Sequence, residues 1–123
     1  MQEPNSYVLD SYAVIGYLEN EPFSDKIQNA LFKAKNGAFR LYFHAIHLGE
    51  VYYVTFREQG RSMADLAYSR IKALPINLID RIDEKLLLAS AGLKAKYPIS
   101  YADSFAAALA VINNCPLLTG DPE

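Results

Sequence analysis

The chain has 123 residues, 51% of them apolar and 21% charged, a composition that implies a folded globule with one substantial core. Its formal net charge of −2 excludes a protein-wide basic footprint for nucleic acid, so a polyanion would have to be held locally or through a cation. A lone Cys115 excludes an internal disulfide, two scattered histidines offer no zinc-ligand spacing, and no apolar run reaches the roughly 18 residues of a membrane span.

The start Met1-Gln2-Glu3-Pro4-Asn5 lacks the basic residues and apolar core of a signal peptide, so a soluble cytoplasmic protein is expected. Tyr7-Val8-Leu9 is a short apolar run ending on Asp10, after which Ser11 opens a helix with Val14, Ile15 and Leu18 on one face. Beyond Glu21-Pro22, Ser24 caps a second helix in which Phe23, Ile27, Ala30, Leu31 and Ala34 share a side, stopped at Asn36-Gly37. Phe39 to Phe43 alternates and is aromatic, which predicts a strand, and a helix from Ala45 to Gly60 carries Glu50. Ser62-Met63-Ala64-Asp65 has the pattern of a capping box and predicts a helix to Leu74, closed by Pro75. Ile76 to Ile79 reads as a third strand, and Asp83 to Tyr97 as a helix turning Leu87, Leu88, Ala91 and Ala95 inward. Ser100 caps a buried helix to about Asn113, with Ala102, Phe105, Ala106, Leu109 and Ala110 facing the core, and Leu117-Leu118-Thr119 forms a fourth strand running into Gly120-Asp121-Pro122.

Strands alternating with helices predict an α/β fold, three layers with a central parallel sheet over residues 1–123. In such sheets ligands bind beyond the carboxyl ends of the strands, where Asp10 and Asp121 stand. Simple alternation puts Asp103 at the other pole, unless the two consecutive helices return the chain. Asp103 therefore has two readings: a capping acid at the positive end of a helix dipole, worth about 0.3–1 kcal/mol, or one member of a cluster. If Asp10, Glu50, Asp103 and Asp121 converge to about 4 Å, each like-charge pair costs on the order of 1 kcal/mol in water and about 4 at an effective dielectric of 20. Such a cluster must protonate or take up a cation, and an all-oxygen set suits Mg2+ or Mn2+, which activate water and neutralise phosphate charge.

Val8-Leu9-Asp10-Ser11-Tyr12-Ala13, Leu48-Gly49-Glu50-Val51-Tyr52-Tyr53, Lys94-Ala95-Lys96-Tyr97 with Ser100-Tyr101-Ala102-Asp103, and Leu118-Thr119-Gly120-Asp121-Pro122-Glu123 resemble the successive motifs of the PIN domain, most closely those of VapC-type toxin ribonucleases. The resemblance implies a parallel sheet ordered 3-2-1-4-5 and an acidic pocket beside strand one. It maps the family's acids onto Asp10, Glu50, Asp103 and Asp121 as metal ligands and catalytic groups, with Ser11 and Thr119 as supporting hydroxyls. It further implies Mg2+- or Mn2+-dependent cleavage of RNA, inhibition by a VapB-type antitoxin, and a homodimer. The family's phenylalanine and fifth, edge strand beyond Asp-Pro-Glu are missing here, which would leave strand four as an exposed edge.

Two other classes compete. A phospho-acceptor signalling domain also places acids at strand ends, but needs a second acid where Ser11 follows Asp10. A catalytically silent PIN-fold module serving as a partner scaffold is the alternative that the full set of acids opposes. His44 and His47 are expected at a strand end or on a helix surface without a role, and Cys115 as a buried small hydrophobe. Tyr12, Tyr17, Tyr52, Tyr53 and Phe56 exceed what one small core can bury and are candidates for a dimer or antitoxin surface. Arg57, Arg61, Lys94 and Lys96 read first as solvated charges, with RNA phosphates as the functional alternative.

Overall fold

A computed structural model describes residues 4–22 and 24–119. The elements run β1 (Ser6–Leu9), α1 (Ser11–Leu18), α2 (Ser24–Lys35), β2 (Arg40–His44), α3 (Ala45–Gln59), α4 (Arg61–Lys72), β3 (Asn77–Ile79), α5 (Glu84–Lys96), α6 (Tyr101–Ile112) and β4 (Leu117–Leu118). The strands form one parallel sheet in the order β3-β2-β1-β4, as expected for its first four members, with Val8 paired to Tyr42 on one side and to Leu117 on the other.

Side-chain alternation along β1 feeds a different core from each of two adjacent residues. Leu9 joins Ala13, Val14, Ile27, Leu31, Leu41, Phe43, Leu48, Val51 and Ile71 beneath α1 to α4, whereas Val8 joins Leu86, Phe105, Ala106, Ala108 and Leu109 beneath α5 and α6. Gly60 takes φ +91° between α3 and α4, a left-handed conformation that favours glycine and lets the two helices fold back on each other.

Four expectations about helices and small residues are corrected. α4 begins at Arg61 with Gly60 as its N-cap and without a side-chain cap; Ser62 does not open it, and Asp65 instead accepts a 2.8 Å hydrogen bond from the Tyr52 hydroxyl. α5 is turned the other way, with Leu86 and Ser90 buried while Leu87 is 43% and Leu88 62% exposed, and Ala91 and Ala95 also face solvent. Its apolar run Leu86-Leu87-Leu88-Ala89 marks no single face, so the partner helix α6 decides the phase. α6 buries one stripe only, Ser104, Phe105, Ala106, Ala108 and Leu109; Ala102 and Ala110 lie at its margins, and Val111 is exposed. Cys115 is half-buried in the turn after α6, where loss of solvent pushes its thiol pKa up. In α2 the stripe Ile27, Ala30 and Leu31 is buried as expected, with Ala34 packed against it, while Phe23 lies outside the described residues.

Candidate active site

At the carboxyl end of β1 the chain breaks from extended to helical backbone at Asp10, which becomes the N-cap of α1 and accepts a 2.8 Å hydrogen bond from the Ala13 N–H through Oδ1. The neighbouring parallel strand ends alongside: the Asp10 N–H donates to the Leu118 carbonyl at 3.3 Å, and the side chain of Thr119 hydrogen-bonds the Asp10 carboxyl. Ser100 caps α6 by accepting from the Asp103 N–H at 3.0 Å, and this fixes the first turn so that Asp103 lines the same cleft as Asp10. The cleft, about 210 Å³, is lined by Asp10, Tyr12, Ile99, Asp103, Ala106, Ala107, Leu117 and Thr119. The two consecutive helices α5 and α6 therefore do return Asp103 to the pole of Asp10.

The two carboxyl groups differ in their surroundings. Asp10 is buried and Asp103 exposed. Loss of solvent raises the Asp10 pKa above its ordinary value, and the charge of Asp103 adds to this; Thr119, the Ala13 N–H and His47 pull the other way without cancelling it. Glu50, half-buried on α3, accepts a hydrogen bond from the Ser11 hydroxyl, so the residue after Asp10 holds the third acid. Among the described residues no three carboxylate, histidine or cysteine side chains gather as a ready metal cage. Asp121 lies outside the described residues. The donor chemistry nevertheless fits a hard divalent ion, since Mg2+ keeps most of its waters and needs only one or two protein carboxylates, such as the Asp10 and Asp103 pair.

The two histidines are not surface residues. His44 does end its strand, but it is 2% exposed; its Nδ1 accepts from the Ile46 N–H at 3.0 Å and its Nε2–H donates to the Arg81 carbonyl at 2.9 Å. His47 is fully buried, and its Nε2–H donates to the Ala102 carbonyl at 2.8 Å. Burial lowers the His47 pKa, so the ring is neutral at neutral pH; the Ala102 carbonyl and the charges of Glu50 and Asp10 oppose that shift and the charge of His44 adds to it. Their partners lie 37 and 55 positions away along the chain, which is why local periodicity missed them. The only early signal was two polar rings flanking Ala45-Ile46 at a strand-to-helix junction. Among the aromatics, Tyr12, Tyr53 and Phe56 are exposed while Tyr17 and Tyr52 are half-buried. Arg57, Arg61, Lys94 and Lys96 are all exposed, and the first two stack over the Tyr53 and Phe56 rings.

The family model described as PIN domain matches residues 7–123. A search of the curated proteins finds no match. Among solved structures, VapBC2 from Rickettsia felis bound to a DNA fragment from its promoter aligns with TM-score 0.74 at 19% identity, covering 94% of this chain and 88% of the other. VapC20 from Mycobacterium tuberculosis, described as a sarcin-ricin loop cleaving toxin, gives 0.67 at 12% identity over 95% and 91%. VapBC-1 from nontypeable Haemophilus influenzae gives 0.66 at 22% over 94% and 87%. At these identities the likeness is one of fold.

Proposed function

The chain belongs to the PIN domain family, and from that premise we propose that it is a Mg2+- or Mn2+-dependent endoribonuclease, the toxin of a toxin-antitoxin pair with a VapB-type partner. The observation that carries this reading is the shared cleft of Asp10 and Asp103, in which a buried carboxyl sits beside a second acid and is most easily ionised next to a cation. The fold likeness to VapBC and VapC structures supports the toxin class and the antitoxin partner. We take residues 1–123 as one domain acting in the cytoplasm as a homodimer; no helix among the described residues is long and apolar enough to cross a membrane.

In this reading Asp10, Glu50, Asp103 and Asp121 are the acids that would hold the ion. Bound there, a divalent ion supplies an acidified water and neutralises charge growing on the scissile phosphate. The chain's own groups prepare that event. The Ala13 N–H and Thr119 orient the Asp10 carboxylate, so that it needs no reorganisation when charge develops. Ser11 keeps Glu50 turned toward the end of β1, and exposed Asp103 leaves the cleft open to a strand of RNA. For the antitoxin, the trough between α1 and the α3–α4 pair offers Ile15, Leu18, Met63, Leu66 and Ala67 to an apolar segment, with Glu19 and Arg70 at its rim.

Purified protein incubated with mixed RNAs and Mg2+ or Mn2+ should cleave them, and Asp10→Asn or Asp103→Asn should lose at least about a thousandfold in rate while remaining folded. Normal cleavage by either variant would overturn the site, and failure of the wild-type protein to cleave any RNA, or to arrest a bacterial host that lacks the antitoxin, would overturn the toxin reading.

A further inference from the structure

Glu50 and Asp103 are carried by helices whose buried apolar residues belong to different cores. α3 packs on α4, α1 and β2 and gives Leu48 and Val51 to the core on one face of the sheet, touching the other core through the half-buried Ile46; α6 packs on α5, β1 and β4 and supplies most of that second core. The gap between groups held by two layers is fixed only as well as the layers are fixed to each other. Among the described residues one side-chain hydrogen bond joins α3 to α6. His47, one helical turn before Glu50, donates its Nε2–H at 2.8 Å to the carbonyl of Ala102, the residue before Asp103. That carbonyl lies in the first turn of α6 and can accept through its second lone pair while serving the helix with the first.

Packing alone does not account for an imidazole here. The ring is fully buried, yet its Nδ1 has no hydrogen-bond partner among the described residues. An aliphatic side chain of similar volume would fill the space without leaving a buried polar atom unpaired. The one bond the ring does make joins the two turns that carry acids. We infer that His47 is a positioning residue, whose bond to Ala102 fixes the distance between the Glu50 turn of α3 and the Asp103 turn of α6. This rests on the nuclease reading above, in which the two acids act on one ion.

The test compares His47→Gln, whose side-chain amide can reach the Ala102 carbonyl from nearly the place of Nε2, with His47→Leu, which fills the volume but cannot donate. Mn2+ binding to the metal-free protein, measured by calorimetry, should weaken about tenfold to a hundredfold in His47→Leu and return to within about threefold of wild type in His47→Gln. RNA cleavage at saturating Mn2+ should show the loss in kcat with KM little changed. Equal loss in both variants, or Mn2+ affinity unchanged in a folded His47→Leu protein, would overturn the positioning role while leaving the nuclease reading intact. If His47→Leu does not fold, the Gln variant decides alone: restored affinity and kcat support the role, and a loss as large as about tenfold overturns it. A wild-type protein that neither binds Mn2+ nor cleaves RNA removes the premise and the inference together.

Discussion

The two faces of the sheet are filled in different ways. Beneath α1 to α4 the core is built mainly from larger side chains, Leu9, Val14, Ile27, Leu31, Leu41, Phe43, Leu48, Val51 and Ile71, with Ala13 and Ala30 among them. Beneath α5 and α6 the buried set is smaller and a third of it is alanine, with Ala106 and Ala108 beside Val8, Leu86, Phe105 and Leu109. Large side chains hold four helices at ordinary packing distance and supply most of the apolar burial. Alanines let α6 lie close to β1 and β4, so that its first turn reaches the end of the sheet where Asp10 and Thr119 are. One face is thus arranged for stability, and the other accepts a thinner core in order to bring Asp103 to Asp10.

The larger loss of stability is expected on the thick face. Phe43→Ala removes a fully buried ring and should cost about 3–5 kcal/mol in urea unfolding, enough to threaten folding altogether. On the thin face the damaging change runs in the other direction: Ala108→Leu, forcing volume into a fully buried alanine site, should cost about 1–3 kcal/mol and reduce cleavage beyond that loss by displacing α6. A smaller effect of opposite sign belongs to the acid pair. Folding raises the Asp10 pKa, so the folded state binds more protons than the unfolded chain, and stability falls as pH rises from about 3.8 through the raised value. Metal-free Asp10→Asn, which keeps a good N-cap, should therefore be more stable than wild type at neutral pH and equal to it near pH 3, as read from urea midpoints across that range. Smallest of all, Leu88→Ser on the solvent side of α5 should shift stability by no more than about 0.5 kcal/mol, against several for Leu86→Ala on the buried side of the same helix.

That last contrast marks the limit of what local pattern could reveal. The order of strands and helices, the cap at Ser100 and the fold class were readable, because Pro98, Gly37 and alternating apolar runs act within a few residues. Which side of α5 turns inward was not, because its leucines surround the helix and only the presence of α6 chooses among them. Likewise the Ser62 motif has the spacing of a cap, but Gly60 ends one helix and starts the next too early for Ser62 to serve. Asp10, Glu50 and Asp103 were singled out by their resemblance to motifs rather than by spacing, and of these one cleft is lined by both Asp10 and Asp103 while Ser11 hydrogen-bonds Glu50. The burial of His44 and His47 depends on carbonyls contributed from far along the chain, a kind of information that no window of neighbouring residues contains.

The alternation of Val8 and Leu9 on β1 has a consequence for misassembly. A shift of this strand by one position would send Leu9 into the alanine-rich side and Val8 into the bulkier one, a mismatch of volume on both. The same slip would point the Asp10 carboxylate away from α6. A chain threaded in the wrong register would thus be badly filled and would lack the pairing of Asp10 with Asp103, so that under the proposed reading any nuclease activity arises only once the central strand is correctly seated.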